Sequence, residues 1–377
     1  MRIAILAHNL RVSGGLSVGR NLVALLPKLG PEHSYLIFVP KGLGYATHNG
    51  QKNVVVNEIP LMSFIERIRF DLFSLPKLIK NFNPDIILGL GNLGLGKPPC
   101  KQAILFHQPQ VIYGLKHYGK TTLRERVKMW AIKQHLAGCL NRTNIVFCQT
   151  PVARERFSRS FRYPIDKIKI MPNAVSEFAK MDKQSAEIPE PLKGEHRFNL
   201  LYLTRFYSHK NPEVLIDVFK NNREKLKDVR CIVTVAPEQH PNASKFLENV
   251  RKFGLEKHIV NVGPIKQEKL GDYFYNCDGL LFPTLLESFS GTYMEAMHFG
   301  LPILTSDLDF ARYICGEAAL YFDPWNPQDI AEKILILKNS PDVRSRLAET
   351  GKLRIKTFFK SWDEIVSNVI EELERLI

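Results

Sequence analysis

PDIILGLGNLGLG, residues 84–96, sets the apolar run Ile86-Ile87-Leu88 directly before Gly89-Leu90-Gly91-Asn92-Leu93-Gly94. A buried strand running into G-x-G-x-x-G is the spelling of a dinucleotide-binding turn, where glycines let backbone approach a pyrophosphate. That turn opens the first strand–helix unit of its domain, with an acid about 20 residues further on for the ribose. Here the match starts at residue 89, and no Asp or Glu stands between Asp85 and Glu125. Lys97-Pro98-Pro99 follows where a helix interior is needed. The context excludes a nicotinamide cofactor. What survives is the strand itself and a glycine loop, expected to line a cleft beside His107 where an acceptor passes close to backbone.

Outward from that strand, apolar runs alternate with helical patterns. Residues 3–7, 35–39, 54–59, 86–88, 103–106 and 145–149 read as strands, with a helix over 16–29. Residues 181–197, MDKQSAEIPEPLKGEHR, are polar, carry Pro and Gly, and have no apolar period, which reads as a linker. The alternation then restarts, with strands at 199–204, 230–236, 259–262, 279–283, 302–305 and 319–322. Helices are predicted over 212–220, 243–253 and 292–299. Such alternation builds parallel sheets covered by helices on both faces. The expectation is an α/β chain of two doubly wound, Rossmann-like domains facing a cleft. The domains are set at 1–180 and 198–358, joined by the linker 181–197. Residues 359–377 place Trp362, Ile365, Val366, Val369, Ile370, Leu373 and Leu376 on one stripe, predicting a helix that crosses back to the N-terminal domain.

The chain is 45% hydrophobic and 24% charged, the balance of a globular protein, and no apolar run approaches the roughly 20 residues of a membrane span. MRIAILAHNL reads as a first strand rather than a signal peptide. Six scattered cysteines show no metal-ligand or disulfide spacing, which fits a reducing compartment, so cytoplasm is the expected location. Charge is uneven. Residues 1–180 carry 26 Lys and Arg against 9 Asp and Glu, while the remainder carries 26 against 29. An anionic partner for the first half is implied. Residues 64–82 and 120–136 mix cations with aromatic and aliphatic residues, as a helix lying on an anionic membrane would, although core-facing helices with a basic outer side give the same pattern. Peripheral attachment to the cytoplasmic face of an inner membrane is thus a further expectation. Nucleic-acid binding lacks any recognition motif.

In open α/β sheets ligands bind outside the carboxyl ends of strands. Two stretches concentrate polar residues there. PTLLESFSGTYMEAMHFGLPILTSD, 283–307, carries Glu287 and Glu295 around Ser-Phe-Ser-Gly-Thr. Ser290, Gly291 and Thr292 fall at a helix N-terminus, where free N–H groups and the dipole favour an anion. A carboxylate accepts two hydrogen bonds at once and suits vicinal hydroxyls. LLYLTRFYSHKNPEVLIDVF, 200–219, brings Arg205 and Lys210 from a strand end to a helix expected to open at Asn211 with Pro212 in its first position. Together they outline a clamp for a sugar nucleotide.

The spacing Arg205…Lys210…Glu287…Glu295, with the glycine loop Gly14-Gly15 after the first strand, resembles retaining nucleotide-sugar glycosyltransferases of the GT-B fold, the large group 1 or family-4 assembly known for its E-x7-E motif. CQTPVARERF (148–157), MPNAV (171–175), VGPIKQEKLGDYFYNCDGLLFPTLLESF (262–289) and YFDPWNPQDI (321–330) fall where that family has counterparts. The resemblance implies a retaining, metal-independent transfer of a sugar from a nucleotide diphosphate sugar to a hydroxyl acceptor. That acceptor would be a lipid-linked, lipopolysaccharide or exopolysaccharide glycan. It implies that Arg205 and Lys210 contact the diphosphate and Glu287 the donor sugar. Backbone N–H groups of Phe289, Ser290, Gly291 and Thr292 would meet sugar and phosphate, and Glu295 the ribose. Gly14 and Gly15 would let backbone approach the diphosphate or acceptor, and His107 would match the family's cleft histidine. No cofactor or metal is implied, because no D-x-D stands where a metal would bridge the diphosphate. The departures are Glu287-Ser288-Phe289-Ser290 where the family usually has E-G-F-G, and Asn173-Ala174 where Asn-Gly is common. An epimerase of the same fold, or a non-catalytic relative that binds a nucleotide sugar, are the rival expectations.

Overall fold

The computed structural model describes residues 1–377 apart from 49, 93, 120, 176–182, 195 and 196. The chain divides into two compact units. The first comprises residues 1–112, 122–174 and 360–377, and the second 113–121 and 175–359. The domain edge expected at 180–181 lies outside the described residues.

The first unit holds a parallel sheet of β1 (Arg2–Leu6), β2 (Ser34–Pro40), β3 (Val54–Ile59), β4 (Ile86–Gly89), β5 (Lys101–Phe106), β6 (Ile145–Cys148) and β7 (Ile168–Ile170), in the order β3-β2-β1-β4-β5-β6-β7. Ile3 is paired with Tyr35 on one side and Ile86 on the other, so the strand order reverses beside β1. The second unit repeats the plan with β8 (Phe198–Tyr202), β9 (Val229–Val233), β10 (Ile259–Asn261), β11 (Gly279–Phe282), β12 (Ile303–Ser306) and β13 (Ala319–Phe322). Its order is β10-β9-β8-β11-β12-β13, reversing between β8 and β11. Central strands such as IILG, IVFC and GLLF are buried along their whole length, the reading of parallel strands covered on both faces.

The last helix, Trp362–Glu374, belongs to the first unit. Its Ile365, Val366, Val369, Ile370 and Leu373 join one core cluster with Leu22, Val23 and Leu26 of the helix Ser13–Leu29. Ser361 and Glu364 form a reciprocal capping box that starts it, with bonds of 2.8 and 3.2 Å. At its far end Glu374 and Glu32 each lie 3.1 Å from the buried His33 ring.

Three expectations change. Asn211 is not a helix N-cap. It adopts a left-handed conformation (φ 60°) after a 3-10 turn, Ser208–Lys210, and the helix runs Val214–Asn221. Its amide side chain instead donates to the Pro324 carbonyl at 2.8 Å. Gly14 and Gly15 are not a loop but the first turn of the helix Ser13–Leu29, whose N-cap Val12 offers no side-chain acceptor. The described part of the expected linker lies on the second unit. Glu187 N–H donates to Asp272 at 3.0 Å, and Arg230 donates to the Pro191 carbonyl at 3.1 Å.

The helix Leu123–Leu140 buries only Leu136, Cys139 and Leu140. Leu123, Val127 and Trp130 stay 77%, 55% and 64% exposed, so its first turns are not core-facing.

Candidate active site

In the second unit the loops leaving β8 and β11 carry the polar residues, at the point where the strand order reverses. Tyr202 ends β8, and its hydroxyl donates to the Lys210 carbonyl at 2.5 Å, folding the 204–210 loop back over the strand end. That places the Lys210 ammonium against the Glu287 carboxylate, which arrives from β11. Both side chains are nearly buried, at 14% and 11% exposed. Lys210 also stands 4.8 Å from the centre of the Phe282 ring, and Thr284 Oγ1 donates to Glu287 at 3.0 Å. The carboxylate thus has a hydroxyl and an ammonium on one oxygen and a second oxygen in hand. The ammonium has donors to spare.

The next element is the helix Gly291–Phe299. Ser290 caps it without a side-chain hydrogen bond, and no acid stands in its first turn, so backbone N–H groups there have no capping side chain. Glu295 sits one turn in, buried, and a Cβ placed on Gly291 would meet its Oε1 at 3.7 Å. The second carboxylate therefore folds back over the start of its own helix. Gly300, with φ 70°, ends the helix, as the Gly300-Leu301-Pro302 spelling predicts. The Arg205 side chain is exposed and makes no hydrogen bond or ion pair with the described residues.

A segment from the first half of the sequence braces the same two loops. Residues 113–121 belong to the second unit. His117 is buried there, its Nδ1 2.9 Å from the Leu285 carbonyl oxygen, while Leu285 N–H donates to the His209 carbonyl at 2.7 Å. The Tyr113 hydroxyl donates to Asp309 at 3.0 Å. Gly119 has φ 66° and ψ −153°, and a Cβ there would fall 2.1 Å from the Ser208 carbonyl oxygen. Only glycine fits. Tyr113, His117, Gly119, Tyr202, Phe282 and Thr284 all escape sequence reading, because nothing local in the sequence marks their distant partners. Of the six, the flanking glycines in YGLKHYG are the sole written hint.

The sequence contains one D-x-D, Asp307-Leu308-Asp309. Arg312 takes both Asp307 oxygens at 2.7 and 2.8 Å, and Asp309 accepts from Tyr113 and from Phe310 N–H.

In the first unit, His107 follows β5, and its backbone N–H donates to Asn92 Oδ1 at 2.6 Å. A Cβ on Gly15 would meet His107 Nε2 at 3.5 Å, so these two expected residues are neighbours. Burial pushes the His107 imidazole down to about 4. It stays neutral near pH 7.

Comparison with known proteins agrees with both halves. The family model described as Glycosyl transferases group 1 matches residues 183–354, and that of Glycosyltransferase Family 4 matches residues 12–177. An uncharacterized glycosyltransferase of Methanocaldococcus jannaschii is 25% identical over 49% of this chain and 50% of its own. A capsular polysaccharide biosynthesis glycosyltransferase of Staphylococcus aureus, CapM, is 26% identical over 45% of each. The aligned part of the chain spans about half the length of these curated relatives. Among solved structures, an Anabaena protein in complex with UDP and glucose superposes with a TM-score of 0.74, at 15% identity, over all of both chains. That last likeness speaks for the fold. With matches that run consecutively from residue 12 to residue 354, the chain belongs to the glycosyl transferases group 1 family.

Proposed function

We propose that the protein transfers a sugar from a nucleotide diphosphate sugar to a hydroxyl of a glycan acceptor, with retention at the transferred carbon and without a metal. The observation that carries this reading is the Lys210–Glu287 pair, held at the strand-order reversal of the second unit. The names of the relatives, one of them acting in capsular polysaccharide biosynthesis, support a glycan acceptor. The UDP and glucose in the Anabaena complex support the donor class.

On this reading Lys210 and Arg205 receive the diphosphate, Arg205 closing from its exposed position. Glu287 accepts hydrogen bonds from the donor sugar. The N–H groups of Phe289, Ser290, Gly291 and Thr292 face the sugar and phosphate, and Glu295 holds the ribose. In the first unit, His107 and the helix start at Gly14 and Gly15 offer a neutral hydrogen-bonding group and close backbone to substrate. The bond from the sugar carbon to the diphosphate oxygen breaks, and the bond to the acceptor oxygen forms on the same face. The acceptor proton passes to the departing diphosphate. The charge that develops is on the leaving group, where a fixed ammonium and a helix start act without a metal. Asp307 and Asp309 are engaged within the protein, which fits that reading.

The test supplies a panel of nucleotide sugars with and without glycan acceptors, in the presence of a chelator. Release of nucleotide diphosphate only when an acceptor is present supports transfer. Conversion of the donor into an epimer without acceptor, or dependence on added metal, overturns the corresponding part.

We further propose attachment to an anionic membrane surface. No described helix is long and apolar enough to cross a membrane. Leu123, Val127 and Trp130 lie exposed on one helix among Arg124, Arg126 and Lys128, and Leu72 and Phe73 are exposed on the 64–82 segment. Flotation with vesicles containing phosphatidylglycerol, lost in Trp130→Ser and in high salt, is the expected result. Equal flotation with neutral vesicles would overturn it.

A further inference from the structure

The amino ends of β1 and β2 hold a group of side chains that sugar transfer does not use. Residues 30–33 link the helix Ser13–Leu29 to β2. The group therefore lies at the edge of the parallel sheet opposite to His107, which follows the carboxyl end of β5. Two carboxylates meet one imidazole there. Glu32 Oε1 and Glu374 Oε1 each stand 3.1 Å from His33 Nε2. Glu32 and His33 come from one turn, and Glu374 ends the last helix.

The imidazole is held firmly. His33 is 4% exposed, its backbone N–H donates to the Gly30 carbonyl at 3.2 Å, and its own carbonyl accepts from Asn53 at 2.6 Å. A Cβ on Gly30 would come 3.0 Å from His33 Cδ2 and 3.2 Å from Ile370 Cδ1, so glycine lets the ring and the last helix close on each other. Neither carboxylate contact is directed as an imidazole hydrogen bond requires, and Nε2 is buried without one. The group also lacks a cation of its own. The last turn of the helix carrying Glu374 has no Lys or Arg, and the dipole there disfavours an anion. Arg375 turns back to Glu371 and Glu372. Among the described residues, neither Glu32 nor Glu374 meets a Lys or Arg side chain. The Met1 amino group lies at the other ring nitrogen, 3.2 Å from Nδ1.

A proton on Nε2 needs an acceptor in line with it, and here it would have none. A metal ion asks instead that the ligand atoms stand at the corners of its shell. Ligands bonded at about 2.0–2.1 Å in a tetrahedron are about 3.3 Å apart, near the spacing seen. The three ligand atoms all lie within 4.8 Å of one another. One imidazole nitrogen with carboxylate oxygens suits zinc, whereas calcium and magnesium take oxygen shells. The carboxylates are 59% and 46% exposed, which gives an ion its way in and water a place in the shell.

We infer that Glu32, His33 and Glu374 bind one divalent cation of the zinc class, which fastens the last helix to the turn before β2. With the ion on Nε2 the ring proton sits on Nδ1, and the unprotonated Met1 amino group accepts it. The site is structural and takes no part in the transfer proposed above.

The test uses the full chain without a histidine tag, stripped with a chelator, freed of it, and titrated with zinc chloride at pH 8. One equivalent binds and raises the first unit's melting transition by at least about 3 °C. Glu374→Gln and Glu32→Gln, both at solvent-accessible positions and close in size, each weaken zinc by about tenfold or more while the metal-free proteins stay folded. UDP binds equally with and without zinc. A wild-type chain whose transition zinc does not move, or full zinc affinity in both variants, overturns the inference. So does a preference for calcium or magnesium over zinc, or UDP binding that depends on zinc.

Discussion

Lys210 and Glu287 meet across 77 residues of sequence, and each is the other's main compensation for burial. Removing one partner leaves a charge in a poor dielectric, which costs about 3 kcal/mol at the low end of the range for such pairs. Lys210→Ala and Glu287→Ala should each destabilise the second unit by that order, and the double variant by less than their sum. Chemical denaturation of all four proteins checks this, and simple additivity would show the pair is not coupled. Kinetically, Lys210→Ala should chiefly lower kcat, whereas Glu295→Ala should chiefly weaken nucleotide binding. The sequence reading reaches these residues because each follows an apolar strand run that is spelled locally. It does not reach Thr284 or Phe282, whose roles depend on where the Lys210 chain ends.

His107 makes a separate prediction at this scale. An unfolded histidine takes up a proton below about 6.5, while the folded one resists until about 4. Between those values the unfolded chain binds more protons, so stability is full above the window and falls as pH drops through it. His209, pushed down to about 3 by burial and then by Lys210, acts in the same sense. His107→Gln should flatten part of the loss of Tm between pH 6.5 and 4. An unchanged slope would count against the burial.

At the scale of elements, every strand but β7 was legible and the connections less so. Runs such as IILG and GLLF announce buried parallel strands, and the apolar stripe from Trp362 to Leu376 announces the last helix. The loop after β8 misleads because Asn-Pro imitates a helix start. Here the left-handed turn at Asn211 wins, its side chain spent on Pro324. The 113–121 segment is silent in sequence because its partners lie in other loops. Gly119→Ala tests it. A Cβ 2.1 Å from the Ser208 carbonyl oxygen forces the Ser208–Lys210 turn to move, so Tm falls and UDP binding weakens together. Wild-type values for both would show the brace is dispensable.

For the molecule as a whole, the two parallel sheets followed from the alternation of runs, whereas the strand orders and the division into units did not. Residues 113–121 and 360–377 each belong with a part of the chain distant in sequence. The last helix buries Ile365, Val366, Val369, Ile370 and Leu373, at about 2 kcal/mol each. That total is of the order of a domain's whole stability, about 5–15 kcal/mol. Deleting 360–377 should therefore abolish the first unit's calorimetric transition while the second keeps one that UDP raises. A surviving first transition would show the helix is an accessory.

The four crossings between units also set an order of manufacture. A ribosome finishes the first sheet early, yet the helix that joins its core cluster emerges only after the entire second unit. The second unit must therefore fold as an insertion while the first waits with Leu22, Val23 and Leu26 uncovered. Translation stalled just before residue 360 would yield a nascent chain with half its architecture complete and the other half prone to capture by chaperones.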